Sequence, residues 1–137
     1  VWCFKKNSPP ECFWFDHEGV IFKRFFEVEG SLIRSLNDYY QENLRLGSRV
    51  LPKEFVPNLI SIFEVINRSG LSVKEISLKD LGLQEIEVNN YDGPKIYFSL
   101  RFSAENTLAV IRSISEKTGF KKLEYLDFRV ENRAYYR

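Results

Sequence analysis

The residues best suited to chemistry stand together at Asp16-His17-Glu18, where two carboxylates flank the only histidine in the chain. Such a trio can move protons or hold a metal. The spacing argues against both. Three consecutive residues on a tight turn point in different directions, and no second histidine or nucleophile stands in a recognisable arrangement beside them. Asp16 at the start and Gly19 at the end instead suit a type I turn closed by a left-handed glycine, joining two apolar strands in CFWFDHEGVIFKR. Glu85 and Glu87 form a second carboxylate pair, but alternation with Ile86 and Val88 places them on the wet face of a strand. There is no G-x-S-x-G, phosphate loop or H-E-x-x-H pattern. No catalytic, cofactor-binding or metal-binding residue is assigned, and the chain reads as non-enzymatic. Asn67-Arg68-Ser69 fits a glycosylation acceptor, a short pattern that arises often by chance, and reads most simply as the polar last turn of a helix.

Cys3 and Cys12 bracket FKKNSPPE. If VWCFK and CFWFD are neighbouring antiparallel strands joined at Asn7-Ser8-Pro9-Pro10, the two thiols can face each other and form a disulfide, which implies an oxidising compartment. Two buried free thiols acting as small hydrophobes are the other reading, and the spacing does not separate them. With one histidine and no third cysteine, this pair does not complete a four-ligand zinc site.

The 137 residues fit one domain. Lys plus Arg number 20 against 19 for Asp plus Glu, so no overall field attracts nucleic acid or an anionic membrane. No apolar stretch approaches the ~20 residues that span a bilayer, and no signal peptide is present. The chain lacks methionine and begins at Val1 within what reads as a strand. It is therefore expected to be an excerpt or a processed product, with room for an anchor or a targeting signal upstream.

These residues must be positioned by a strand-rich fold. After Gly30, Leu32 to Asp38 reads as extended and is followed by a polar loop through Gly47, with a short helix over Asn37 to Leu44 as the alternative. PKEFVPNLISIFEVINRSG carries Phe55, Leu59, Ile62, Phe63 and Ile66 at helical spacing. Pro57 restricts the helix start to Glu54 or later, and Gly70 ends it. Three extended runs follow, LSVKEISLK, LQEIEVNN and KIYFSLRF, the last two joined as a hairpin through Asn90-Tyr91-Asp92-Gly93-Pro94. Ser103 can cap a second helix from Ala104 to about Thr118, with Gly119 at its end. In the final strand, KLEYLDFRV, Leu126, Phe128 and Val130 are expected to face the core, with Tyr125, Asp127 and Arg129 on the opposite side. The class is α+β, a mixed or antiparallel sheet with two helices packed on one face.

Two motifs at opposite ends carry a resemblance. Near the start, an aromatic strand leads into Asp16, Gly19, Val20 and Phe22. At the end stand Tyr125, Asp127 and Arg129, then Tyr135 and Tyr136. Together with the element order between them, they make the whole chain resemble the extracytoplasmic β domain of the bacterial cell-division family FtsQ/DivIB. The resemblance implies a longer protein with a short cytoplasmic tail, one transmembrane helix and a POTRA domain, residues 1–5 being the last POTRA strand or the linker beyond it. It places the domain on the outer side of the cytoplasmic (inner) membrane of a single-pass protein. There it implies a divisome scaffold acting in septum formation, without cofactor, whose coiled-coil partners FtsB and FtsL add a strand at the edge of the last strand.

On this reading the partner-binding residues are Tyr125, Arg129, Val130, Asn132, Arg133, Tyr135 and Tyr136. Arg129 is the expected partner of a carboxylate, and the two closing tyrosines are the aromatic contacts. The other reading of Asp127 and Arg129 is that they pair with each other on the sheet surface. Val130 stands where some family members carry an aromatic. A rival function is an extracytoplasmic cell-wall or carbohydrate-binding module, which requires a groove lined by exposed Trp2, Trp14 or Tyr91.

Overall fold

The computed structural model describes residues 1–26 and 33–137. The beginning of the extended run expected from Leu32 lies outside them. Nine strands form one sheet: β1 (Trp2–Phe4), β2 (Glu11–Phe15), β3 (Ile21–Phe25), β4 (Leu36–Asp38), β5 (Val73–Leu78), β6 (Glu85–Asn90), β7 (Lys95–Ser99), β8 (Tyr125–Phe128) and β9 (Tyr135–Tyr136). Their spatial order is β3-β2-β1-β4-β5-β6-β7-β8-β9. The sheet is mixed: β1 and β4, β4 and β5, and β7 and β8 run parallel, and the other neighbours run antiparallel. Helix α1 (Val56–Ser69) is the crossover from β4 to β5, and α2 (Thr107–Ser115) the crossover from β7 to β8. This is the α+β arrangement expected.

Alternation explains why one face is covered. In β6 and β7, Ile86, Val88, Ile96 and Phe98 are buried, while Glu85, Glu87, Lys95 and Tyr97 point the other way. Leu59, Ile62 and Ile66 of α1 and Leu108, Ile111 and Ile114 of α2 join the buried strand residues in one cluster. Each fully buried Leu or Ile contributes about 1.5–3 kcal/mol. The opposite face is a ladder of charges, with Glu87 held between Lys79 at 3.2 Å and Lys95 at 3.4 Å. Burial works against ionisation of Glu87, but the two ammonium groups prevail and hold its carboxyl below the ordinary range.

Helix α1 begins where its proline permits and ends at Gly70, whose φ of 75° is left-handed. Helix α2 is shorter than expected, and Ser103 does not cap it as proposed. Its start is delayed because Ala104 is buried and donates its amide to Ser61 Oγ at 2.9 Å, which pins residues 104–106 into a turn against α1. Ser103 Oγ instead accepts from the Glu105 amide at 3.3 Å. At the far end the chain tightens, and Lys117 donates to the Ile114 carbonyl at 3.0 Å ahead of Gly119 (φ 93°).

Residues 39–44 form no helix. Asp38 ends β4 with its carboxylate fully buried, accepting from the Tyr40 and Gln41 amides, the Gln41 side chain and Trp2 Nε1 at 2.8–3.0 Å. Those bonds fix residues 39–41 as a turn. Residues 1–5, expected in an upstream module or linker, run between β2 and β4 in the interior of this sheet, with Trp2 and Phe4 fully buried.

Asp16 and Gly19 form the expected turn. Asp16 Oδ1 accepts from the amides of Glu18 at 2.9 Å and Val20 at 3.0 Å. Those bonds, the one from Val20 foremost, hold its carboxyl below the usual carboxylate value. Gly19 has φ +82°, and a Cβ there would lie 2.5 Å from the Leu51 carbonyl oxygen. Cys3 and Cys12 are direct partners across the β1–β2 hairpin and are joined by a disulfide.

Candidate docking edge

The strand expected to form the sheet edge is not at the edge. β8 pairs with β7 on one side, Ile96 opposite Leu126 and Phe98 opposite Phe128, and with β9 on the other. Leu126 and Phe128 are buried, and Phe128 stacks on Phe98 at 5.6 Å between ring centroids. Val130, expected in the core on the same alternation, is 51% exposed, because the strand ends at Phe128 and the chain turns away. Arg133 donates its amide to the Val130 carbonyl at 3.1 Å, and Asn132 occupies the left-handed region at φ 59°, which asparagine tolerates better than most residues.

The chain then returns as β9, with Tyr136 opposite Leu126 and Tyr135 opposite Asp127. Beyond it, Arg137 donates to the Tyr125 carbonyl at 3.3 Å and accepts from the Glu124 amide at 2.6 Å. Because Arg137 turns its main-chain groups toward β8, alternation turns those of Tyr136 outward. No strand pairs with that outer side among the described residues. Tyr135 and Tyr136 are 49% and 56% exposed. Tyr136 shares the helix side of the sheet with Leu126, and Tyr135 the open side with Asp127.

Under the β8–β9 connection lies a groove of about 520 Å³, open toward the edge. Phe102, Asn106 and Val110 line it from the α2 side, and Phe128, Val130 and Arg133 from the other. Sequence reasoning missed both β9 and this groove. The available signal was Val130-Glu131-Asn132-Arg133, a polar turn with asparagine at a position able to take positive φ, placed between two aromatic pairs.

Arg129 is already engaged. Its Nε donates to Asp127 Oδ1 at 2.9 Å, its Nη2 to Asp127 Oδ2 at 2.7 Å and its Nη1 to Glu85 Oε2 at 3.3 Å, and it lies 4.6 Å from the Tyr97 ring centroid. The guanidinium beside Asp127 holds that carboxyl below its ordinary range, and the same bond raises the arginine further. The reading in which these two residues pair with each other describes the geometry. Arg129 would have to abandon two carboxylates to meet a third. Tyr125 is half-buried on the open face, and Asn132 and Arg133 are exposed in the connection.

The carbohydrate groove does not form from its expected residues. Trp2 is fully buried, with its indole N–H committed to Asp38. Trp14 on β2 packs edge-on against Phe25 of β3, and Tyr91 follows β6, four strand spacings or about 19 Å from β2. His17 and Glu18 stay in their turn, where Glu18 meets Lys53 at 3.2 Å. Asn67 Oδ1 accepts from Arg34 Nε at 2.7 Å. No group of three or more His, Cys, Asp or Glu able to hold a metal is present among the described residues. Nor is any helix among them long and apolar enough to cross a membrane. No protein-family model, curated protein or solved structure matches this chain.

Proposed function

We propose that this chain is a scaffold domain of the FtsQ/DivIB type that captures an extended segment of a coiled-coil division partner, FtsB- or FtsL-like, as an additional strand on β9. The observation that carries the reading is the outer side of β9, an unpaired run of main chain flanked by two half-exposed tyrosines and an adjoining groove. Strand addition draws affinity from main-chain bonds and selectivity from neighbouring side-chain sites, and tyrosine is enriched where such contacts are strongest.

The opposite edge is a poorer candidate. The start of β3 is already bonded to residues 47–49, a register shift interrupts its pairing with β2, and exposed Lys23 stands on it. Bulges and lysines are the usual guards of an edge against pairing. The Cys3–Cys12 disulfide supports an oxidising location. With the resemblance, this favours the outer side of the cytoplasmic membrane, the anchor lying in a longer protein.

The test is calorimetric titration of the folded chain with synthetic peptides that together tile an FtsB-like partner. Tyr136→Pro deletes the outward N–H, and Tyr136→Ala deletes the ring. Each should weaken binding by roughly thirtyfold, the scale of an interface hot spot, while circular dichroism stays unchanged. Wild-type affinity in both folded variants overturns the reading.

A further inference from the structure

The edge has a charge that its own strands leave uncommitted. Arg137 lies on the open side with Tyr135, two residues apart along the same strand direction, and Arg133 stands at the rim of the groove. Neither guanidinium has a hydrogen-bond or ion-pair partner among the described residues, whereas Arg129 is tied to Asp127 and Glu85. Glu131 is the one acidic residue between Val130 and Arg137, so this segment is net positive. Removing Arg129 from its partners would strand two partly buried carboxylates, a cost that an exposed ion pair does not offset. Drawing on Arg133 and Arg137 carries no such cost. Like charges placed opposite each other across a strand pair are destabilising, and opposite ones stabilising.

We infer that Arg133 and Arg137, rather than Arg129, select the incoming strand, and that this strand is acidic, with a carboxylate facing Arg137 on the open side and another facing Arg133 at the groove rim. Arg129 stays with Asp127 and Glu85. The inference rests on the strand-addition reading and adds the partner's chemistry to it.

The test uses a displayed library of random twelve-residue peptides selected against the wild-type chain, with peptides retained by Tyr136→Pro discarded. The selected sequences should be enriched in Asp or Glu. Against the double variant Arg133→Glu, Arg137→Glu, their affinity should fall roughly tenfold at low salt, and much less at 0.5 M NaCl, where exposed charges are screened. Exchanging the peptide carboxylates for arginine should restore binding to that variant, and Arg129→Gln should leave the salt dependence of binding as in the wild type. Selected peptides without acidic bias, or affinity indifferent to the charge reversal, overturn this inference and leave strand addition standing. A library yielding no peptide sensitive to Tyr136→Pro removes strand addition and this inference with it.

Discussion

Replacing Asp38 by alanine should cost the fold far more than a typical surface substitution, and the contacts of its carboxylate set the scale. The residue has no exposed surface and accepts four hydrogen bonds, the one from Trp2 Nε1 at 2.8 Å being wholly buried. Stranding a buried donor costs about 1–3 kcal/mol. The Tyr40 amide and the two Gln41 donors are only partly buried, so water recovers some of their loss. The sum is about 3–5 kcal/mol, a large share of the ~5–15 kcal/mol that stabilises an ordinary domain. Urea denaturation followed by circular dichroism at neutral pH measures it. Trp2→Phe removes the buried donor while keeping an aromatic ring, so the double variant should lose about 1–2 kcal/mol less than the sum of the single losses. A loss below ~1 kcal/mol for Asp38→Ala, or strict additivity in the cycle, refutes the view that this carboxylate organises the β1–β4 junction.

Gly19→Ala should destabilise by roughly 2–4 kcal/mol, combining a left-handed backbone with a Cβ 2.5 Å from a main-chain oxygen; thermal melting reads the loss, and a melting temperature equal to wild type contradicts it. Asp127 titrates below its ordinary 3.8 in the folded chain because Arg129 binds its charged form. Its contribution is therefore present above that value and declines as the pH falls through the lower folded value. Asp127→Asn should flatten the stability–pH profile below about pH 4, and a variant profile parallel to wild type there goes against the assignment.

Local signals were legible in the sequence, and long-range ones were not. Pro57 and Gly70 bracket α1 because a missing N–H and a left-handed φ act within one turn. Asp16 and Gly19 mark their hairpin for the same reason. The period-2 pattern placed Leu126 and Phe128 inward, but extending it one step misplaced Val130, since alternation carries no mark of where a strand stops. β9 is two residues long, too short for any periodicity to show. The start of α2 depends on Ser61, 43 residues earlier, and the state of Arg129 on Glu85, 44 residues away. Of the docking residues, the exposure of Tyr135 and Tyr136 agrees with the reading of an aromatic edge. Arg129 is tied to Asp127 and Glu85, a pairing of which only the Asp127 half is local in sequence.

In the strand order, every neighbouring pair is consecutive along the chain except β1 with β4. The sheet is thus two ribbons, one of three strands and one of six, whose strands join between β1 and β4, where the indole of Trp2 crosses to reach Asp38. The amino-terminal ribbon closes only short loops as it forms, whereas the β1–β4 seam, like the β4–β5 pair within the other ribbon, must join segments more than thirty residues apart. Amide exchange under native conditions should accordingly resolve the amino-terminal ribbon as a separate unit of protection, one that can come loose while the carboxy-terminal ribbon, with its tyrosine edge, stays assembled.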